Sequence, residues 1–181
     1  EIQVIEANAP SSKPRVLSKR HTGVEYWPEH HENRFLILTN DCEDSDGKQG
    51  KCAPNSKLVE ADITSSERSQ WKDLIPHRKN VQLSNIEAFK DFIVIFEREA
   101  GLRHLRILDL RSGEDKRVTM PEPAWSIWQS DNPNYEATRY RFRYSSLVSP
   151  RKVQSYVVSS GTTETLKTIP VIGYDQSKYV S

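Results

Sequence analysis

The feature that most constrains this chain is a self-similar period of 47 to 48 residues. Leu58-Val59-Glu60-Ala61-Asp62-Ile63, followed by Ser65-Ser66 and Trp71, lines up with Arg106-Ile107-Leu108-Asp109-Leu110, followed by Ser112-Gly113 and Val118, at an offset of 47. Gly113 then maps onto Gly161, Val118 onto Leu166 and Leu110 onto Val158, at an offset of 48. Each unit reads as strand, polar turn, strand, preceded by a second pair of strands. Four short strands per repeat of this length is the pattern of a propeller blade, in which small sheets pack face to face around an axis. An immunoglobulin-like sandwich also strings short strands together, but it gives no reason for the period, and the Cys and Trp positions do not follow its framework.

No stretch of 12 or more residues shows a helical repeat, so an all-β chain is expected. Alternation and β-branched blocks place strands at Ile2 to Glu6, Val24 to Trp27, Phe35 to Thr39, Lys57 to Asp62, Val81 to Ile86, Phe92 to Glu97, His104 to Leu110, Ala124 to Gln129, Tyr140 to Tyr144, Val153 to Val158 and Glu164 to Lys167. The register makes three blades of residues 19 to 170, with Ile2 to Ser18 as outer strands of a fourth. The expected fold is a partial β-propeller. Leu, Ile, Val and Phe account for 42 of 181 residues, enough for a core but a lean one.

Lys plus Arg number 26 against 25 Asp plus Glu, a net charge of +1 that removes the simplest argument for a nucleic-acid partner. The longest apolar run, Phe92 to Phe96, is five residues, too short to span a bilayer, so no membrane partner is expected. The chain opens at Glu1 without a signal-peptide pattern, and its only methionine is Met120, so a piece of a longer polypeptide is expected. No Asn-x-Ser/Thr sequon occurs, and Cys42 and Cys52 are read as thiols in a cytosolic protein. The alternative is a disulfide closing a short loop, which spacing alone does not establish.

Catalytic motifs are missing from these residues: there is no G-x-S-x-G elbow, P-loop or dinucleotide fingerprint around the seven glycines. His30-His31-Glu32 lacks a second histidine four residues on, where Phe35 stands; adjacent strand histidines point to opposite faces, so the pair is read as a strand end. Cys42 to Gly47 places Asp44, Asp46 and Gly47 as in a calcium loop, but Cys42 and Ala53 occupy its first and twelfth places, so it reads as a solvated hairpin tip. A zinc set of Cys42 and Cys52 with His21 or His30 fails on the wide cysteine spacing. Arg139-Tyr140-Arg141-Phe142-Arg143-Tyr144 places three guanidinium groups on one strand face and three rings on the other. The favoured reading buries the rings between blades; the alternative is an anion- or peptide-carboxylate-binding strip facing the axial channel. No catalytic, cofactor-binding or metal residue is assigned, and no cofactor is expected.

Gly23-Val24-Glu25-Tyr26, Glu29-His30-His31, Arg34-Phe35 with Ile37 to Asn40, Phe142 with Tyr144-Ser145-Ser146, Pro150, and Gly173-Tyr174-Asp175 with Tyr179 resemble the propeller domain of the prolyl oligopeptidase family, and within it the oligopeptidase B branch. The resemblance implies a seven-bladed propeller joined to an α/β-hydrolase domain with a Ser-Asp-His triad that cleaves short peptides after Arg or Lys. It implies that residues 1 to 172 are the C-terminal half of the propeller, about three and a half blades, and that 173 to 181 form a strand linking to the hydrolase domain. The triad would then lie outside this chain, and this part would gate access of short peptide substrates. The long Cys42 to Pro54 loop and Gln154 to Val158, where relatives tend to carry an acidic residue, depart from the pattern. The alternatives are an inactive homologue or a stand-alone interaction propeller.

Overall fold

The computed structural model describes residues 1–42, 52–64 and 66–180. Its strands are β1 (Ile2–Val4), β2 (Arg15–Ser18), β3 (Tyr26–His31), β4 (Arg34–Thr39), β5 (Lys57–Asp62), β6 (Lys72–Ile75), β7 (Val81–Ala88), β8 (Phe92–Glu99), β9 (Leu102–Asp109), β10 (Asp115–Arg117), β11 (Trp125–Gln129), β12 (Arg139–Ser146), β13 (Lys152–Val157) and β14 (Thr162–Thr168). Consecutive antiparallel strands form one two-stranded sheet, β1-β2, and three four-stranded sheets, β3 to β6, β7 to β10 and β11 to β14. This is an all-β partial propeller, and its three and a half blades follow the sequence period. The chain divides into two compact units, Glu1–Lys79 and Asn80–Ser181.

In the second and third four-stranded sheets the period has a local cause in the turn between the third and fourth strands. Gly113 and Gly161 both sit at positive φ, 74° and 68°, and each donates its N–H to the carbonyl four residues back, Asp109 and Val157, at 2.9 Å. Positive φ is where glycine carries no steric cost, so the same turn requires the same residue at the same offset.

In the first unit, Leu17, Phe35, Ile37, Val59 and Ala61 form the core, with Tyr26 and Trp71 packed against it. The Tyr26 hydroxyl joins both strands of the small sheet to β3, donating to the Ser18 carbonyl at 2.8 Å and accepting from the Ile2 N–H at 3.1 Å. Arg15 donates to the Ser66 hydroxyl at 2.8 Å and the Ile63 carbonyl at 2.6 Å.

In the second unit, two sheets share one core. Phe92, Val94 and Phe96 of β8, with Leu105 and Ile107 of β9, face Ile127, Tyr140, Phe142, Tyr144 and Tyr156 of the neighbouring sheet. The β12 burial pattern alternates residue by residue, Tyr140, Phe142 and Tyr144 being inaccessible to solvent while Arg139, Arg141 and Arg143 are exposed. The Phe89 ring stacks on Phe92 at 4.5 Å and meets Tyr140 edge-on at 5.8 Å.

Two short strands go beyond the sequence expectation, β6 and β10, while β2 falls within the Ile2 to Ser18 stretch expected to supply outer strands. Two expectations are corrected. Cys42 and Cys52 form a disulfide rather than standing as thiols, the two residues pairing as an isolated antiparallel bridge. Residues 173–180 hold no strand; Asp175 caps a 3-10 turn at Gln176–Lys178 by accepting from the Ser177 N–H at 3.1 Å, which takes the segment out of extended conformation. The strand expected at Val24 to Trp27 begins at Tyr26 and runs to His31.

Because the second unit's core is concentrated on one face of β12, Phe142→Ala is expected to cost about 3–5 kcal/mol by leaving a cavity. Gln82→Ala, at an exposed position of β7, is expected to stay within about 0.5 kcal/mol. Urea denaturation of the two variants checks the contrast.

Candidate functional site

The largest ion-pair network among the described residues lies on the face of the β7 to β10 sheet opposite the shared core. It arises from strand register: Glu97 is opposite His104, and Arg106 is opposite both Ile95 and Arg117, so alternate residues of β8, β9 and β10 project to the same side. The Glu97 side chain is fully buried. It accepts from Arg106 Nη1 at 2.8 Å and from Arg117 Nε at 2.8 Å and Nη2 at 2.7 Å. Arg106 reaches on to Asp115 with Nε at 2.6 Å and Nη2 at 2.5 Å, and Arg117 also pairs with Glu99. The Asp115 hydrogen bond is the foremost cause holding the Arg106 guanidinium well above its ordinary pKa. Burial, then the nearby Arg117 charge, pushes the His104 imidazole below its ordinary value, and its ring meets Trp125 edge-on at 5.4 Å. With the Glu97 carboxylate closed to solvent and held by both guanidiniums, the network ties β8, β9 and β10 together.

A second polar contact joins the two sheets of this unit. Tyr140, buried, donates its hydroxyl to Glu87 on β7, and Gln129 Nε2 donates to the same carboxylate oxygen at 2.7 Å. Burial, then Glu87, pushes the Tyr140 phenol far above its usual range.

A cleft of about 360 Å³ opens beside β10 and the β13–β14 turn, lined by Lys116, Val118, Thr119, Tyr156, Ser160 and Thr163 among others. Lys116 Nζ donates to Glu114 at 2.9 Å. No carboxylate or imidazole lines the cleft; its titratable side chains are Lys116, Arg117 and Tyr156, and burial pushes the Tyr156 phenol above its usual range.

His30 and His31 end β3 on opposite faces, His30 exposed and His31 buried, with the His30 ring 5.9 Å from Phe35. The sulfurs of Cys42 and Cys52 are bonded to each other, and among the described residues no three His, Cys, Asp or Glu side chains are grouped to hold a metal ion. The calcium-like stretch, Glu43 to Gly47, lies outside the described residues. β12 is an interior strand, paired to β11 and β13, and its three arginines are exposed on one face of the sheet. Arg139 pairs with Glu164 at 3.1 Å.

Sequence reasoning missed the Glu97–Arg106–Arg117–Asp115 network. Its only sequence signal is Glu97 ending the apolar run Phe92 to Phe96, and its partners come from strands whose register the sequence does not show.

If the network is held together as a unit, Arg106→Leu leaves Glu97 buried with half its compensation and is expected to cost about 3–5 kcal/mol. The double variant Glu97→Leu, Arg106→Leu should recover much of that loss. Equal losses in single and double variants, measured by chemical denaturation, would show that the pair is not coupled.

The comparisons with known proteins agree with this architecture. Residues 1–168 match the model of the prolyl oligopeptidase N-terminal β-propeller domain. Dipeptidyl aminopeptidase BI of Pseudoxanthomonas mexicana is 35% identical over 175 residues, 95% of this chain and 23% of the relative. Protease 2 of Moraxella lacunata is 25% identical over 180 residues, 99% of this chain and 24% of the relative. Oligopeptidase B from Trypanosoma brucei, solved in closed form with covalently bound antipain, superposes with a TM-score of 0.80 at 26% identity, over 93% of this chain and 24% of that one. The chain thus spans about a quarter of the length of the relatives it matches. Blade period, sheet order and family match coincide, and the chain belongs to the prolyl oligopeptidase family through its β-propeller domain.

Proposed function

We propose that this chain is the non-catalytic propeller portion of a serine oligopeptidase of the oligopeptidase B type. In this reading residues 1 to 172 form the C-terminal half of the propeller, and 173 to 181 lead into an α/β-hydrolase domain that carries the triad elsewhere in a longer polypeptide. The observation that carries the proposal is the match over residues 1–168 to a propeller domain whose relatives are about four times longer. The role is steric. A propeller over the reaction centre admits short peptides and excludes folded proteins, and motion between the two domains sets entry and release. Cleavage after Arg or Lys, like the hydrolase domain as partner, comes from likeness to the oligopeptidase B branch. A net charge of +1 supports the absence of a nucleic-acid partner, and among the described residues no helix is long and apolar enough to cross a membrane.

A second reading concerns the mode of cleavage. The 35% identity to a relative named dipeptidyl aminopeptidase favours release of dipeptides from peptide N-termini.

The 181 residues alone are expected to give no turnover of an Arg-ended fluorogenic peptide, whereas the full-length polypeptide cleaves it and a serine-directed inhibitor stops the reaction. Inhibitor-sensitive cleavage by the 181 residues, or an inert full-length protein, would overturn the proposal. A free-amine dipeptidyl substrate cleaved in preference to its N-blocked form selects the dipeptidase reading.

The proposed location is the cytosol, where the thiol pool keeps such pairs reduced. Cys52 is exposed, so the Cys42–Cys52 bond is accessible to reductant. Thiol trapping of freshly lysed cells is expected to find both cysteines alkylated; a pair that stays oxidised in the cell places the protein in an oxidising compartment.

A further inference from the structure

We infer that the outward face of the β11 to β14 sheet is an ionic seam, covered by an acid-bearing sheet of the same propeller that lies outside residues 1–181. The evidence is a replacement at equivalent register positions. In the three four-stranded sheets the second and third strands pair Leu38 with Leu58, Phe96 with Leu105, and Arg143 with Val153. One step along, the pairs are Leu36 with Glu60, Val94 with Ile107, and Arg141 with Ser155. Leu36, Leu38, Val94 and Phe96 are all buried, and Val94 and Phe96 belong to the core shared with the next sheet. In the last sheet the same positions hold Arg141 and Arg143, both exposed.

The row that includes Arg143 continues through Trp128 on β11 and Lys167 on β14, and Arg139 completes the strip. Glu164, opposite Ser155, is the one carboxylate in these rows, and it pairs with Arg139. Arg141 and Arg143 have no ion-pair partner among the described residues. The face therefore carries four cations against one anion, while Val153, Val157 and Trp128 retain apolar surface for packing.

A repeat whose preceding sheet covers its equivalent face with another sheet requires the same here, because closing the ring leaves no sheet face bare. The β11 to β14 sheet already holds the four consecutive strands of a blade, so what this face meets is another face rather than an added strand. The charge imbalance defines the partner: a sheet face presenting Asp or Glu opposite Arg141 and Arg143, where bidentate guanidinium–carboxylate pairs can form. Such a seam is screened by salt, unlike the apolar seam between β7 to β10 and β11 to β14.

This inference rests on the proposed function, since that reading supplies the longer polypeptide. The test is hydrogen–deuterium exchange of the full-length protein, comparing β12 and β13 amides with β8 and β9 amides between about 0.05 M and about 1 M NaCl. Salt is expected to speed exchange of β12 and β13 several-fold and leave β8 and β9 unchanged. The charge reversals Arg141→Glu and Arg143→Glu together should give the fast exchange already at low salt. Arg141→Leu with Arg143→Leu, which restores the pattern of β4 and β8, should remove the salt response. Exchange indifferent to salt and to charge reversal overturns the seam. A salt-sensitive dimer abolished by the reversal also overturns it, assigning the face to a second copy of the chain. A full-length sequence without further propeller sheets overturns the proposed function itself; further sheets with no salt response overturn only the ionic seam.

Discussion

Face-to-face burial of aromatic and aliphatic side chains between neighbouring sheets is the interaction on which the rest of the structure depends. A small antiparallel sheet is marginal in water by itself, because only one or two short rows of contacts oppose the entropy of ordering it. The second unit meets this constraint with few residues. Phe92, Val94 and Phe96 present one side of β8 to Tyr140, Phe142 and Tyr144 of β12. Four of those six side chains carry no polar atom, and the two tyrosines at the ends of the β12 row bring hydroxyls that must be accommodated. Tyr140 does so by donating to Glu87, which ties an otherwise apolar seam to one alignment of the two sheets.

The buried ions on the other face of β7 to β10 act on register within a single sheet. Glu97 extends β8 beyond its apolar run, at a point where an unpaired carboxylate would be costly. Arg106 and Arg117 reach it only when β9 and β10 pair in the observed register, since a one-residue slip of either strand turns its arginine to the opposite face. Hydrophobic alternation is weak in β10, which reads Asp115-Lys116-Arg117, so the ion pairs supply the register specification that its apolar content does not. The network therefore contributes more to specificity of pairing than to net stability, in keeping with the desolvation that buried charges incur.

These two kinds of constraint explain what was legible in the sequence. The blade period was legible because it is written in residues with a local requirement: Gly113 and Gly161 in equivalent positive-φ turns, and apolar third strands at Lys57–Asp62, Leu102–Asp109 and Lys152–Val157. The β12 alternation was legible for the same reason, one residue deciding one face. β6 and β10 were not, because outer strands are recruited by the hydrogen-bonding edge of a neighbour and need little apolar pattern of their own. The Glu97 cluster joins residues from three strands, and its geometry exists only after pairing. The Cys42–Cys52 bond depends on the two ends of a loop being brought together by β4 and β5, which a ten-residue separation does not reveal.

The same reasoning bears on what a propeller of this family can vary. Identity to Trypanosoma brucei oligopeptidase B is 26% while the TM-score is 0.80, so the fold tolerates replacement of roughly three residues in four. Such tolerance is expected where backbone ladders and alternating burial carry the architecture and most outward positions answer only to solvent or to whatever packs on them. Fold likeness then says little about chemistry. Where an outward position departs from the pattern repeated in its own chain, as at Arg141 and Arg143 against Leu36, Leu38, Val94 and Phe96, the departure is not dictated by the sheet that bears it. The cause lies in what meets that face, and the face of the last sheet is where this chain's individuality is concentrated.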